Sequence, residues 1–313
     1  MHFLSLYLQL FALLIFPTAL GVFLAHKGAG PRLSGLLFNV AYFFFNTGIT
    51  VLAVWKADLA NDSWTLPFLV LSGWILSVFV ARSAGRFFNH SRKQQGSFLF
   101  TVCLSNHGFT LLGIVALVLF GEQGLAQATY AQFFIIPFLV FFCFPAARRF
   151  GRNEAPVSFW VTARASLFDS RNLVLVAMLV GLALNLAEIP QPDWAKLTLR
   201  PLVYGGCLSS CVAIGIGMKA SEIGRFFKEN LFSFAYRSTL YPLWFVLMAT
   251  LAGLSELDRN VLILFGVVPS AVFANMIAEF YDLDKDMTNS VFLVSTVLFL
   301  VITLPVFIYF IGV

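Results

Sequence analysis

Charged side chains are scarce in this sequence: Asp, Glu, Lys and Arg make up 11% of its 313 residues, against roughly 25% in a soluble globular domain. At that level water cannot be the solvent around most of the surface. Histidines and cysteines number four each. No carboxylate pair, metal-ligand set or nucleophile with a neighbouring base stands at a useful spacing, which argues against an enzyme, and neither a metal nor a cofactor is expected. Cys103, Cys143, Cys207 and Cys211 lie inside apolar segments and say almost nothing about the redox compartment. Cys207 and Cys211 share a helix face, and read as small packing residues. No ring-forming filter of a channel is visible. The chain turns apolar at Phe3 without a basic n-region or a small-residue cleavage site, so its start reads as a membrane helix rather than a removable signal. No soluble domain is expected at either end.

What is present is apolar. Hydrophobic residues make up 59% of the chain, with 37 phenylalanines and a mean hydropathy of +0.87. The net charge of +5 comes from short basic groups between apolar runs, a placement that fits orientation in a lipid bilayer and not nucleic acid binding. A spanning helix needs about 20 mostly apolar residues. Runs of that length fall near 3–25, 33–55, 65–88, 95–119, 124–147, 170–189, 196–218, 229–253, 259–280 and 287–312, giving an all-α membrane protein of about ten transmembrane helices. Most Lys and Arg residues fall in the loops after odd-numbered helices, so those loops are expected to be cytoplasmic and both termini outside, in the plasma (inner) membrane. The acidic Asp282, Asp284 and Asp286 would also lie inside, a weak objection because acids contribute little to the rule.

An odd number of helices on each side of a central connection predicts two halves inserted in opposite directions. They are residues 1–150 and 170–313, joined by a cytoplasmic loop at 151–169. Gly21 and Gly181 occupy similar places in the two halves, as do Gly121-Glu122-Gln123-Gly124-Leu125 and Leu283-Asp284-Lys285-Asp286-Met287. Chance similarity among apolar helices is the alternative. Inverted repeats are typical of secondary transporters, whose solute sites sit where Gly- or Pro-interrupted helices meet. Predicted helix 4 carries Ser105-Asn106-His107-Gly108-Phe109-Thr110 and Gly113. Predicted helix 9 carries Gly266-Val267-Val268-Pro269-Ser270-Ala271 and Asn275. Breaks there free backbone groups that lipid cannot satisfy. Two crossed breaks would bring together half-helix N-termini, whose positive ends suit an anion such as a carboxylate.

The candidate solute-binding residues are therefore Ser105, Asn106, His107, Gly108, Thr110, Pro269, Ser270 and Asn275, with Asn46 on predicted helix 2 and Tyr130 on predicted helix 5. Each Ser, Thr or Asn could instead bond only to a neighbouring helix. An ionisable residue at membrane depth is a functional candidate by default, and His107 is expected to contact the solute or couple transport to protons. A neutral, hydrogen-bonded ring is its structural alternative. Arg237, two turns into predicted helix 8, reads as snorkelling to the headgroups in preference to touching the solute. Glu279 and Asp282 read as solvated.

The tract Ser105 to Gly113, followed by Leu119-Phe120-Gly121-Glu122-Gln123-Gly124-Leu125-Ala126, resembles the auxin efflux carrier family. So do Val268-Pro269-Ser270-Ala271, Asn275, Ala278 and Tyr281, Ser295-Thr296 and Leu304-Pro305, and the likeness runs over essentially the whole chain. The resemblance implies ten helices in two inverted five-helix repeats, with crossed, broken helices 4 and 9, a fold shared with bile acid sodium symporters. It implies a dimeric scaffold of helices 1, 2, 6 and 7, an elevator-like transport domain of helices 3–5 and 8–10, and organic acids as solutes. Asn106, Gly108, Pro269 and Ser270 would be the crossover positions. Members usually carry a Pro after the helix 4 Gly, where this chain has Gly113-Ile114, so a gentler first break is expected. The acids that bind sodium in the bile acid relatives have no counterpart, which points to proton coupling or uncoupled movement. The function expected is secondary transport of a small organic anion. A sensor that keeps the fold without turnover is the alternative.

Overall fold

The computed structural model describes residues 2–57, 64–151, 173–218 and 223–311. The predicted connecting loop at 151–169 and the start of the predicted helix at 170–189 lie almost wholly outside the described residues. Within them the fold is all helical, and the one β pairing is an isolated antiparallel bridge between Ser105 and Ser270.

The helices are α1 (His2–His26), α2 (Pro31–Lys56), α3 (Thr65–Gly85), α4 (Arg92–Cys103), α5 (Ile114–Tyr130), α6 (135–150), α7 (Leu173–Leu186), α8 (Asp193–Gly217), α9 (Phe227–Ser238), α10 (Leu240–Leu251), α11 (Glu256–Val267), α12 (Val272–Phe280) and α13 (Lys285–Ile311). Six helical stretches are long and apolar enough to cross a membrane. Their outward faces are apolar: Phe16, Phe79 and Phe310 expose most of their side chains, a surface suited to lipid.

Predicted helices 4 and 9 are each cut in two, α4 from α5 and α11 from α12. The first break is not gentle. Helix α4 ends outright at Cys103, residues 104–108 are non-helical, and a π turn over Phe109–Gly113 opens α5. The backbone gains other partners there: Asn106 N donates to Pro269 O at 2.7 Å, and Ala271 N donates to Leu104 O at 2.9 Å. With those bonds available, the break needs no proline after Gly113.

Two further interruptions were not expected from the apolar runs. Predicted helix 8 divides into α9 and α10 at Thr239 (φ −131°, ψ −83°). Pro242 lacks an N–H, and its ring excludes the carbonyl four residues back. Pro137 acts likewise where α5 gives way to α6. Gly121 turns the chain inside α5 at φ 70°, a left-handed conformation that suits a residue without Cβ. Elsewhere the helix starts are capped from the sequence. Ser91 and Gln94 form a reciprocal capping box before α4. Ser255 and Asp284 accept from Asp258 N and Met287 N at 3.1 and 3.0 Å before α11 and α13.

The closest helix pairings are α1 with α8 and α2 with α7. Small residues permit both approaches. A Cβ on Gly21 would stand 2.2 Å from Val212 O, one on Gly215 2.1 Å from Thr18 O, and one on Gly181 2.8 Å from Val51 O. Gly21, Gly181 and Gly215 thus each let a neighbouring backbone approach where a side chain would not fit. At one end of the molecule Glu122 binds Lys56 and, at 3.1 Å, Arg200, tying the turn within α5 to α2 and α8.

Gly215→Val is expected to destabilise the protein by about 1–3 kcal/mol through overpacking. A lowered melting midpoint for the detergent-solubilised variant checks this. An unchanged midpoint would mean that α1 and α8 can separate freely.

Candidate functional site

The two breaks meet and pair. Ser105 and Ser270 pair, and the flanking bonds run from Asn106 N to Pro269 O and from Ala271 N to Leu104 O. The exchange is reciprocal: each break donates one backbone N–H to the other. Pro269 presents no N–H and ends the ladder there. Ser270 is fully buried; its Oγ donates to Thr101 O at 3.1 Å, and its N–H to Ser295 Oγ at 3.2 Å.

A crossing of this kind leaves four helix ends at one point. The C-terminal ends of α4 and α11 carry carbonyls without intrahelical partners, and the N-terminal ends of the helices that follow carry such amides. Arg237 meets the carbonyls. Its Nη2 donates to Thr101 O, Val102 O and Leu104 O, each at 3.0 Å; its Nη1 donates to Val268 O at 3.3 Å and to Ser105 Oγ. It is 2% exposed. The expected snorkelling of Arg237 to the headgroups is therefore incorrect. Its stem turns inward because two negative helix ends and five oxygens together compensate a guanidinium better than one membrane surface does. The Tyr241 ring lies 5.9 Å from its charge centre.

The opposite ends border a cavity of about 210 Å³. Gly108, at the head of the α5 segment, and Ala271, Val272 and Phe273, at the head of α12, line it. Asn46, Thr50, Thr129, Gln132 and Ser210 supply neutral polar groups, and Tyr42, Phe45, Ile136 and Met178 supply apolar wall. Asn106 and His107 are 5% exposed and also line it. Among the described residues neither Asn106 Nδ2 nor His107 Nε2 has a partner. The His107 ring lies 3.8 Å from that of Phe265 and 5.8 Å from that of Trp74.

Of the expected site residues, Asn46, Ser105, Asn106, His107 and Gly108 meet at this cavity. Pro269 and Ser270 build the crossing without lining it. Asn275, one turn into α12, lines a neighbouring cavity of about 320 Å³ beside Ser34, Glu279 and Asn289. Phe38, Val272 and Met276 line both cavities and separate them. Tyr130 packs elsewhere, with Val54, Ala57, Ala126, Met178 and Leu182. The backbone of Thr110 opens the π turn, and its side chain lies outside the described residues. The described residues hold no cluster of His, Cys, Asp or Glu able to bind a metal ion.

A profile of the membrane transport protein family matches residues 50–308, which include both broken helices and the cavity lining from Thr50 onward. The chain belongs to this family. That membership agrees with the resemblance to auxin efflux carriers drawn from the residues themselves. An uncharacterised transporter of Methanocaldococcus jannaschii is 25% identical over 211 residues, covering 67% of each chain. The apolar helices and the family together make this an integral membrane protein.

Arg237 is the crossover residue that sequence reasoning placed wrongly. The signal was present: a permanent charge inside an apolar run, just ahead of the Thr239 break. Ser105→Ala removes an acceptor from the guanidinium, and a hydrogen bond to a charged group contributes about 1.5–3 kcal/mol. A thermal-unfolding midpoint below wild type checks this. An equal midpoint would mean that the carbonyls alone satisfy Arg237.

Proposed function

We propose that the protein is a secondary transporter of a small organic anion, carried as a carboxylate in the cavity beside the crossover. The observation that carries this reading is the company of Asn106. Its unpartnered amide and two half-helix N-termini border one cavity, all presenting N–H donors or positive dipole ends to whatever occupies it. At about 210 Å³ the cavity is smaller than the roughly 300–1,000 Å³ typical of drug-sized ligands, which suits a small solute. Its apolar and aromatic walls suit an acid with a hydrocarbon or ring body.

The reading includes about ten membrane helices in two inverted five-helix repeats. The reciprocal bonds at the crossing and the matched glycine contacts of α1 with α8 and α7 with α2 support it. In an elevator mechanism α1, α2, α7 and α8 are the scaffold, paired with a second copy, and the crossover travels with α3–α6 and α9–α13. Both termini lie outside. His107 contacts the solute through its free Nε2. Its seat against two aromatic rings favours contact over proton carriage, so transport should change little between pH 6 and pH 8 apart from the solute's own ionisation.

Electrophysiology on a solid-supported membrane, with purified protein in liposomes, tests the reading on a panel of indole-3-acetate, malate and malonate. One acid should give currents and radiolabel flux, and Asn106→Ala should lower apparent affinity about 10- to 100-fold, as expected for a lost hydrogen bond to a charged group. His107→Gln should weaken the same acid. A wild-type pH dependence that vanishes in His107→Gln would restore proton coupling to this ring. Tight binding without flux would replace transport by sensing.

A further inference from the structure

We infer that Arg237 is a cation built into the crossover, which leaves the solute to be a monoanion and makes the loaded crossover electrically neutral. The inference rests on the transport reading above and adds the charge of the solute and the step that feels voltage.

The crossing has two electrostatic demands. The C-terminal ends of α4 and α11 each present about half a negative elementary charge, and the two N-terminal ends on the cavity side each present about half a positive one. One cation and one anion satisfy them. The cation is already supplied: the buried guanidinium donates to oxygens of Thr101, Val102, Leu104, Ser105 and Val268. Arginine does not lose its proton in proteins. Those oxygens are therefore occupied by a tethered charge, and a metal cation has no vacant set of them here. The demand left open is the anionic one, at Asn106 and the N-terminal ends.

No carboxylate cancels the guanidinium. Among the described residues Glu229 is the one buried acid, and its Oε1 lies 2.8 Å from His90 Nε2. His107 is the one His, Asp, Glu, Lys or Arg that lines the cavity. It faces the rings of Trp74 and Phe265 with no acid beside it and counts as neutral. The crossover thus carries one positive charge when empty and none when it holds a monoanion. Moving a charge across a membrane potential takes work in proportion to that charge. Exchange of solute, in which the crossover moves loaded in both directions, should then ignore the potential. Net transport requires the empty, positive crossover to return and should respond to it. An inside-negative potential draws that positive charge inward, so it should speed net export.

The test uses full-length protein in liposomes, with potentials of either sign set by a tenfold potassium gradient and valinomycin. The panel is indole-3-acetate, its uncharged amide, malate and malonate, each with and without sodium. Expected is counterflow of the monocarboxylate that changes less than about twofold with potential and is indifferent to sodium. Net flux should change up to about tenfold, the bias such a gradient places on one elementary charge. Arg237→Lys should keep this pattern. Arg237→Gln should reverse it, with voltage-sensitive counterflow; should that variant fail to fold, the wild-type comparison decides alone. The inference is overturned if wild-type counterflow follows potential as steeply as net flux, if it requires sodium, or if the amide or a dianion exchanges as fast as the monocarboxylate. Absence of flux for every panel member from folded protein would sink the anion-transport reading itself, a result distinct from any of these.

Discussion

A helix broken within a membrane must find partners for its freed backbone groups, because lipid offers none and each unsatisfied group costs several kcal/mol. Most of the architecture follows from how this chain meets that requirement twice at one point. The two breaks satisfy each other through the Asn106–Pro269 and Leu104–Ala271 bonds, so neither would be stable without the other. What remains unmet is divided by polarity. Carbonyl ends are closed by Arg237, and amide ends border a cavity.

Aromatic packing holds this arrangement in place. Trp74, Phe245 and Phe265 are fully buried around it, with Trp74 stacked on Phe138 at 5.1 Å. Gly266 brings α11 against Pro242 at the start of α10, where a Cβ would stand 2.7 Å from Pro242 Cα. That approach lies beside the α9–α10 break, which sets the entry of Arg237. The large share of phenylalanine thus serves two surfaces: rings such as Phe16 and Phe79 cover the outside, and rings such as Phe265 wedge the crossing. Around them, the pairs α1–α8 and α2–α7 pack on glycine, where van der Waals contact between close backbones replaces the hydrophobic drive that lipid removes.

The cavity wall and the crossing share residues. Ser105 accepts from Arg237 and lines the cavity; Leu104 accepts from both Ala271 and Arg237 and lines it too. A change at the cavity wall is therefore felt at the helix ends within one residue. A site built this way would be preorganised, since Asn106 and both helix ends are fixed by the backbone bonds of the crossing.

The membrane class and the positions of both principal breaks were legible in the residues themselves; of the ten spans read there, six helical stretches among the described residues are long and apolar enough to cross. Hydropathy reports a solvent, and Gly108 and Pro269 report backbone that leaves a helix whatever surrounds it. Asn106 and His107 could be picked out because polar side chains are rare at that depth. Other features were decided only by tertiary structure. Whether Gly113 needs a proline, where Asn275 and Tyr130 sit relative to the cavity, and which way Arg237 turns all depend on what lies across from them. An arginine in an apolar run reads alike whether it reaches water or a helix end. The choice belongs to five oxygen atoms brought from segments more than thirty or a hundred positions away in the chain, and only the folded crossing assembles them.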